Sequence, residues 1–247
     1  MKYCVSSRQP KALLEKVDEI KIELRDYKAI PDFIDKYPEK TLILDMTYDI
    51  PEGFNWDMIK VYSDKMEGRF YCALVNLGLV NECKNRGIKF YYKYSATSMF
   101  ELQGLKDLGV SYIVVGTPLM FNLKKVRSYG IPLRAVPNLA YENYIPHQDG
   151  IIGGWVRPED VSRYELYIDT FEFYHNTLEK EATLYHVYAE NGKWPGNLAL
   201  LIDYLGVDFD NKVLYDTDNF AIRRMNCGQK CLNGYACHYC ASQLKFE

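Results

Sequence analysis

Short runs of apolar residues, many of them alternating with polar ones, recur along the first 175 residues of the chain. Such runs are typical of strands, and between them lie stretches in which apolar residues recur at helical spacing. The predicted strands are residues 3–6, 19–24, 41–47, 69–76, 88–95, 111–116, 131–138, 150–156 and 169–175. Gly87, Gly109 and Gly130 each stand just before a strand, where a helix would end on a left-handed residue. This repeated order of helix, glycine and strand predicts a parallel sheet.

The spacing of the strands indicates how the sheet is closed. The βα units are roughly 20–25 residues long, and eight or nine strands are predicted. Eight strands fit a (β/α)8-type barrel, with the ninth as a lid or an extra edge strand. An open, doubly wound sheet is the alternative, but it usually has a glycine-rich phosphate loop after its first strand, and the sequence SSRQP at 6–10 is not one. We therefore predict a barrel in which some helices are abbreviated, because the units are short.

The pattern changes after residue 175. Residues 178–188 are amphipathic, residues 197–205 are apolar with helical spacing, and a polar linker rich in aspartate follows. We therefore divide the chain into a barrel domain, 1–175, and a C-terminal helical extension, 176–247, which ends in a cysteine-rich tail at 219–247.

Four of the seven cysteines lie within 14 residues of the tail, in the order Cys-x3-Cys-x5-Cys-x2-Cys. Four thiolates satisfy the tetrahedral coordination of Zn²⁺, and they also suit an iron–sulfur cluster. Standard zinc ribbons and ferredoxins space their cysteines differently, so the spacing leaves the metal open. We predict a metal site formed by Cys227, Cys231, Cys237 and Cys240, with His238 as a substitute ligand. Cys4, Cys72 and Cys83 fall in or beside predicted core elements and are expected to be buried thiols.

Charge is unevenly distributed between the two parts. The whole chain has a net charge of −3, whereas the tail has four basic residues and one acid and therefore carries +3. A basic tail could attract a polyanion such as nucleic acid, or it could offset the negative charge of four thiolates. No apolar run approaches the roughly 20 residues needed to span a bilayer. The clustered cysteines favour metal over disulfides, so we expect a cytoplasmic protein without a membrane partner.

Polar residues at the strand ends form the predicted mouth of the barrel. In a βα barrel the C-terminal ends of the strands carry the chemistry, and alternation within each strand shows which side chains face inward. We predict four catalytic residues: Glu23, Asp45, Lys93 and Glu172. We predict five substrate-binding residues: Arg134, Asn138, Gly153, Gly154 and Arg157. Carboxylates beside cations are the usual groups of acid–base catalysis, and the alternative is a salt-bridge network with no reaction.

Two segments resemble known families. The stretch from YSAT at 94–97 through GVSYIVV at 109–115 to IPLR at 131–134 is similar to the barrel of the collagenase-like peptidase family. That family includes relatives that hydroxylate RNA bases or quinone precursors, and several members carry an iron–sulfur cluster. The sequence departs from it in lacking the family's histidine–glycine and cysteine signature, with PNLA at 137–140 near that place.

The second resemblance joins IGGWVRPE at 152–159 to IDTFE at 168–172. These segments are similar to the glycine pair and the Ile-Asp-x-Phe-Asp segment of tRNA-guanine transglycosylases, which are zinc-binding barrels. The resemblance implies that the glycine pair lies against the base and that Glu172 takes the place of the nucleophile. The interval between the segments is shorter here, and the zinc spacing of that family does not match the tail.

Both resemblances imply barrels that bind a metal and often act on nucleic-acid bases, which is analogy and not site evidence. The predicted function is modification of a nucleic-acid base or a similar planar substrate in the barrel mouth. The alternative is a non-catalytic scaffold or interaction protein with a zinc-stapled tail. A peptidase is less favoured, because no Ser–His or metal–His motif is present.

Overall fold

Eight parallel strands close into a barrel in which every strand pairs with its sequence neighbour and β1 also pairs with β8. The computed structural model describes residues 1–47, 49–120, 122–138, 156–173, 177–191, 213–215 and 244–246. The barrel strands are β1 Lys2–Ser6, β2 Glu19–Glu23, β3 Thr41–Met46, β4 Phe70–Leu74, β5 Phe90–Ala96, β6 Ile113–Val115, β7 Leu133–Ala135 and β8 Thr170–Glu172. The predicted (β/α)8 barrel is confirmed. The ninth predicted strand, 150–156, lies outside the described residues except for Val156.

Most of the connecting helices are one or two turns long, as the short units predict. The α-helices are α1 Lys11–Leu14, α2 Ile30–Lys36, α3 Trp56–Lys65, α4 Val80–Arg86, α5 Met99–Asp107, α6 Thr117–Met120, α7 Leu123–Arg127, α8 Val161–Tyr164 and α9 Leu178–Tyr185. Short 3-10 helices are Leu24–Ala29, Leu77–Leu79 and Pro158–Asp160, and a π-helical turn, His186–Asn191, continues α9.

Local sequence explains where the helices begin and end. Gly87, Gly109 and Gly130 have φ values of 65°, 74° and 76°, which glycine adopts without the steric cost of a Cβ. Helix α5 begins with a capping box, in which the Ser98 hydroxyl accepts from the Glu101 backbone and the Glu101 carboxylate accepts from the Ser98 backbone. These signals turn the chain back into the next strand at fixed points.

Each strand divides its side chains between the inside of the barrel and the surrounding helices. One face packs on the helices in a large core that includes Ile20, Leu44 and Phe171. The other face fills the barrel, and its apolar part is a small cluster formed by Cys4, Ile43, Ala73, Tyr91, Tyr112 and Val114. The barrel interior is therefore packed, and the charged side chains described below lie on the same inward face.

The first helix of the extension is part of this outer layer. Tyr185 packs edge-on against Tyr3 of β1, with ring centroids 5.7 Å apart, and the Tyr188 ring lies 5.4 Å from that of Phe173. The Tyr188 hydroxyl donates to the Val156 carbonyl at 2.6 Å. Residues 178–191 thus cover β1 and the end of β8.

Two further strands belong to the extension. Strand β9, Val213–Tyr215, pairs antiparallel with β10, Leu244–Phe246. The four tail cysteines lie outside the described residues, and among the described residues no group of three or more His, Cys, Asp or Glu side chains is placed to hold a metal ion. Cys4, Cys72 and Cys83 are buried free thiols. In the described parts of the chain, no helix is both long enough and apolar enough to cross a membrane.

Candidate functional site

Charged side chains occupy three levels of the barrel interior, from the N-terminal ends of the strands to the C-terminal mouth. Strand β2 supplies Glu19 to the lowest level and Lys21 to the middle level, because both alternate with the outward-facing Ile20 and Ile22. The remaining charged residues come from β3, β5, β7 and β8.

The lowest level is sealed. The Arg134 Nη1 donates to Glu19 Oε2 at 2.6 Å, and the Thr170 hydroxyl donates to Glu19 Oε1 at 3.2 Å. The guanidinium carbon of Arg134 lies 4.9 Å from the ring centroid of Tyr91 and 5.3 Å from that of Tyr112. The side chains of Arg134 and Glu19 are 1% and 0% exposed. A charge pair closed off in this way, beside two aromatic rings, is not open to a substrate.

Glu172 forms the middle level and has three partners. Lys21 Nζ donates to Oε1 at 2.7 Å, while Arg134 Nη2 and the Tyr91 hydroxyl approach Oε2 at 3.4 Å. Burial alone would raise the pKa of Glu172, but the charges of Lys21, Arg134 and Lys93 outweigh it and hold that pKa well below its usual range. Glu172 therefore stays a carboxylate at neutral pH and is a weak proton acceptor.

Lys21 is the opposite member of this pair. Burial would lower the pKa of Lys21, yet the neighbouring Glu172 carboxylate dominates and raises the pKa above its usual range. The Lys21 ammonium is therefore protonated throughout the neutral range, as a hydrogen-bond donor and not as a base.

The upper level is an ion pair between Asp45 of β3 and Lys93 of β5. Lys93 Nζ donates to Asp45 Oδ2 at 2.7 Å and to the Thr47 hydroxyl at 2.9 Å, and Thr47 in turn donates to Asp45. The pairing of β5 with β6 shifts register between Tyr92 and Ala96, so that the segment carrying Lys93 is irregular. Irregularities of this kind commonly redirect side chains beside active sites.

Exposure increases towards the mouth. The Glu172 side chain is 10% exposed, Lys21 is 13% exposed and Lys93 is 29% exposed. The upper two levels are therefore reachable from solvent, whereas the Arg134–Glu19 level is not. An accessible ammonium held by a carboxylate can donate protons, bind an anion or orient a substrate oxygen.

Two of the predicted residues pair away from the interior. Glu23 lies beside Asp45 in the β2–β3 register, but its carboxylate pairs with Arg25 at 2.7 Å and Arg8 at 3.3 Å on the rim. Arg157 is buried and binds Asp160 three residues later, at 2.5 and 3.0 Å. Its guanidinium thus fixes the turn that leads into α8.

The remaining predicted residues lie either after β7 or outside the described part of the chain. Asn138 is fully buried after β7, and Gly153 and Gly154 lie outside the described residues. The structure brings together Asp45, Lys93, Glu172 and Arg134 of the predicted set. It adds Lys21 and Glu19, which the prediction did not include although both share the inward face of β2 with Glu23.

Comparison with known proteins adds only a likeness of fold. No protein-family model matches the chain, and no curated protein matches it. A solved structure described as native KDPGal covers 76% of this chain and 91% of its own, with 12% identity and a TM-score of 0.46. The 3-keto-L-gulonate-6-phosphate decarboxylase of Vibrio cholerae covers 69% and 86%, with 12% identity and a TM-score of 0.45.

A third solved structure, the 3-hexulose-6-phosphate synthase of Salmonella typhimurium, covers 70% of this chain and 88% of its own. Its identity is 14% and its TM-score is 0.41. Values this low carry no inference about activity, so the functional argument rests on the interior of the barrel.

Proposed function

We propose that this (β/α)8 barrel is an enzyme that modifies a nucleic-acid base or a similar planar molecule bound at the C-terminal mouth. The observation that carries the proposal is the Lys93–Asp45 pair, which lies at the mouth, is partly exposed and stands above a sealed interior. Active sites of this fold lie at that face of the barrel. The resemblance of residues 94–134 to the barrel of the collagenase-like peptidase family, which includes relatives that hydroxylate RNA bases or quinone precursors, supports the choice of substrate class.

In this proposal the residues of the mouth have separate roles. Lys93 and Asp45 exchange a proton with the substrate, and the Thr47 hydroxyl orients the pair through its hydrogen bonds to both. Glu172 remains ionised and positions Lys21. Arg134 supports Glu172 from below and does not touch the substrate, because it is buried against Glu19.

A non-catalytic scaffold is the second candidate, and one observation favours it. The interior acids Glu19, Asp45 and Glu172 each have a cationic partner, as expected of a structural network. The two proposals differ in what they expect at the mouth. A scaffold needs the Lys93–Asp45 pair for stability alone, whereas an enzyme needs it for binding.

Binding of small planar probes distinguishes the two. We would measure saturation-transfer NMR with uracil, guanine and their nucleosides on the wild-type protein, Lys93→Met and Asp45→Asn. Lys60→Met is the matched control, because Lys60 forms an exposed ion pair with Asp64 on α3. The enzyme proposal expects probe binding that weakens about tenfold or more in both mouth variants and is unchanged in the control. Absence of binding to the wild-type protein, or equal binding by all variants, would overturn it.

We further propose that Cys227, Cys231, Cys237 and Cys240 hold a zinc ion or an iron–sulfur cluster. Their number and close spacing support this. The pairing of β9 with β10 supports it as well, because it joins the chain on either side of the cysteine segment. Two three-residue strands are marginal on their own, and a metal inside the loop that they close would stabilise them. The basic residues Arg223, Arg224 and Lys230 would then seat the phosphates of a nucleic-acid substrate.

A further inference from the structure

Lys21 has more hydrogen-bond donors than the surrounding protein uses. It lies in the middle of β2, between Ser6 of β1 and Ile43 of β3 in the sheet register. Among the residues that the structure describes, Glu172 is the one hydrogen-bond partner of the Lys21 ammonium, at 2.7 Å. An ammonium group has three N–H donors, so two donors of Lys21 are left for a group that is not part of the described protein.

The carboxylates nearest to Lys21 are already engaged. Oε2 of Glu172 faces Arg134 and Tyr91, so only Oε1 serves Lys21. Asp45 accepts from Lys93 and Thr47. An acceptor for the remaining donors of Lys21 therefore has to come from outside the described protein, and the Lys21 side chain is 13% exposed to solvent.

A second ammonium group faces the same space. Lys93 lies two positions after Tyr91 on the inward face of β5, and the Tyr91 hydroxyl approaches Glu172 Oε2 at 3.4 Å. The charge of Lys93 also contributes to lowering the pKa of Glu172. Lys93 Nζ donates two of its three N–H groups to Asp45 and Thr47. The third N–H has no acceptor among the described residues. Three donors on two ammonium groups suit a group with several anionic oxygens, because charge-assisted hydrogen bonds to such oxygens are the strong ones.

We propose that Lys21 and Lys93 together bind an oxyanion group of the substrate, either a phosphate or a carboxylate. Lys21 is the deeper of the two and fixes how far the substrate enters the barrel. This inference rests on the proposed function in that it places the anion at the same mouth. It makes Lys21 a substrate-binding residue in a barrel where its ion pair with Glu172 would otherwise be structural.

Titration calorimetry with inorganic phosphate and with acetate tests the inference and separates the two sources of the oxyanion. A nucleoside and its 5′-monophosphate form a second pair of probes. Lys21→Met should weaken binding of the favoured anion about tenfold or more, and Lys60→Met should leave it unchanged. Because Lys21→Met leaves Glu172 with fewer partners, the double variant Lys21→Met/Glu172→Gln is included, which removes both charges and should show the same loss.

Glu172→Gln alone gives the result that a structural role would not produce. It frees the ammonium of Lys21 from its carboxylate, so anion binding should become at least as tight as in the wild-type protein. Equal anion affinity in the wild-type and Lys21→Met proteins, no anion binding by the wild-type protein, or a loss in Glu172→Gln as large as in Lys21→Met would each overturn the inference.

Failure of the inference and failure of the proposed function give different results. If uncharged nucleosides bind and respond to Lys93→Met while anion affinity ignores Lys21, the inference fails and the proposed function stands. If anion affinity responds to Lys21 while no base or nucleoside binds, the inference stands and the proposed substrate class fails.

Discussion

Both carboxylate oxygens of Glu181 accept a hydrogen bond from the backbone N–H of Ser6, at 2.9 and 3.0 Å. Ser6 is the last residue of β1, and Glu181 is a fully buried residue of α9. The same carboxylate accepts from Gln9 Nε2 at 2.6 Å. Helix α9 thus holds the first βα loop, and with it Arg8 at the rim of the mouth.

Removing this carboxylate should destabilise the barrel. Glu181→Ala leaves the Ser6 N–H without its carboxylate acceptor and leaves the Gln9 amide with the Leu178 carbonyl alone, at a cost of about 3 kcal/mol. Glu181→Gln keeps one acceptor oxygen and should lose less. Urea unfolding measures both, with Glu179→Ala as the control, since Glu179 is exposed on the same helix. Equal stability of Glu181→Ala and the control would contradict the finding.

Removing one member of the sealed pair at the base of the barrel should cost more stability than removing both members. Arg134→Met leaves the buried Glu19 carboxylate without its cation, and loss of one member of a buried pair costs about 3–5 kcal/mol. Arg134→Met/Glu19→Gln removes both charges and should be more stable than the single variant. Chemical denaturation of the single variants and the double variant checks this. A double variant that is less stable than Arg134→Met would refute the uncompensated-charge explanation.

Stability should fall in acid partly through Glu172. Its pKa in the folded state is below the unfolded value of about 4.3, so its stabilisation is present above that pH and is lost as the pH falls through the folded value. Glu172→Gln should therefore be less stable than the wild-type protein at pH 7, and the difference should shrink below about pH 4. Unfolding curves across this range test it. A difference that stays constant from pH 7 to pH 3 would show that Glu172 is not held ionised.

Metal analysis of the whole chain tests the cysteine tail. Protein purified without oxygen should contain either about one equivalent of colourless zinc or a coloured iron–sulfur cluster. Cys237→Ser should lower the metal content, whereas Cys83→Ala should not, because Cys83 is a buried thiol of α4. A wild-type preparation that holds neither metal nor cluster would remove the site.

The basic tail should make nucleic-acid binding dependent on salt. Neutralising Arg223, Arg224 and Lys230 should weaken binding to a single-stranded RNA and reduce the slope of log affinity against log salt by about 2, at roughly 0.7 per phosphate contact. Neutralising Lys11, Lys60 and Lys65, which are exposed lysines of the barrel, is the matched control. Wild-type protein that fails to bind RNA even at low salt would count against a nucleic-acid substrate.

The strands and their inward faces could be predicted from the sequence, because both depend on local alternation. In β2 the apolar Ile20 and Ile22 fix which side Glu23 takes, and in β3 Leu42 and Leu44 do the same for Asp45. The glycines before the strands gave the helix ends, since their conformation is also a local property.

The pairing of the charged residues could not be predicted in the same way. Glu172 meets Lys21 across 151 residues, and only closure of the barrel brings them together. Lys21 was not predicted because the prediction considered only residues at the strand ends, and Lys21 lies two positions before Glu23 on the same face of β2. The pairing of Arg157 with Asp160 could have been predicted from the sequence, because Asp160 is only three residues later.

The closing of the barrel through β1 and β8 also sets the order in which the protein can fold during synthesis. Lys2 pairs with Thr170 and Cys4 with Glu172, so the first strand lacks one neighbour until more than two thirds of the chain has been made. Until then Lys21 lacks the Glu172 carboxylate that pairs with it in the folded barrel, and burying a cation without its partner is costly. An incomplete chain therefore gains little stability by packing its core around β2. The contacts between β1 and β8 also form slowly, because they are distant in sequence. The ion pairs of the interior thus favour the complete barrel over partial ones on the ribosome.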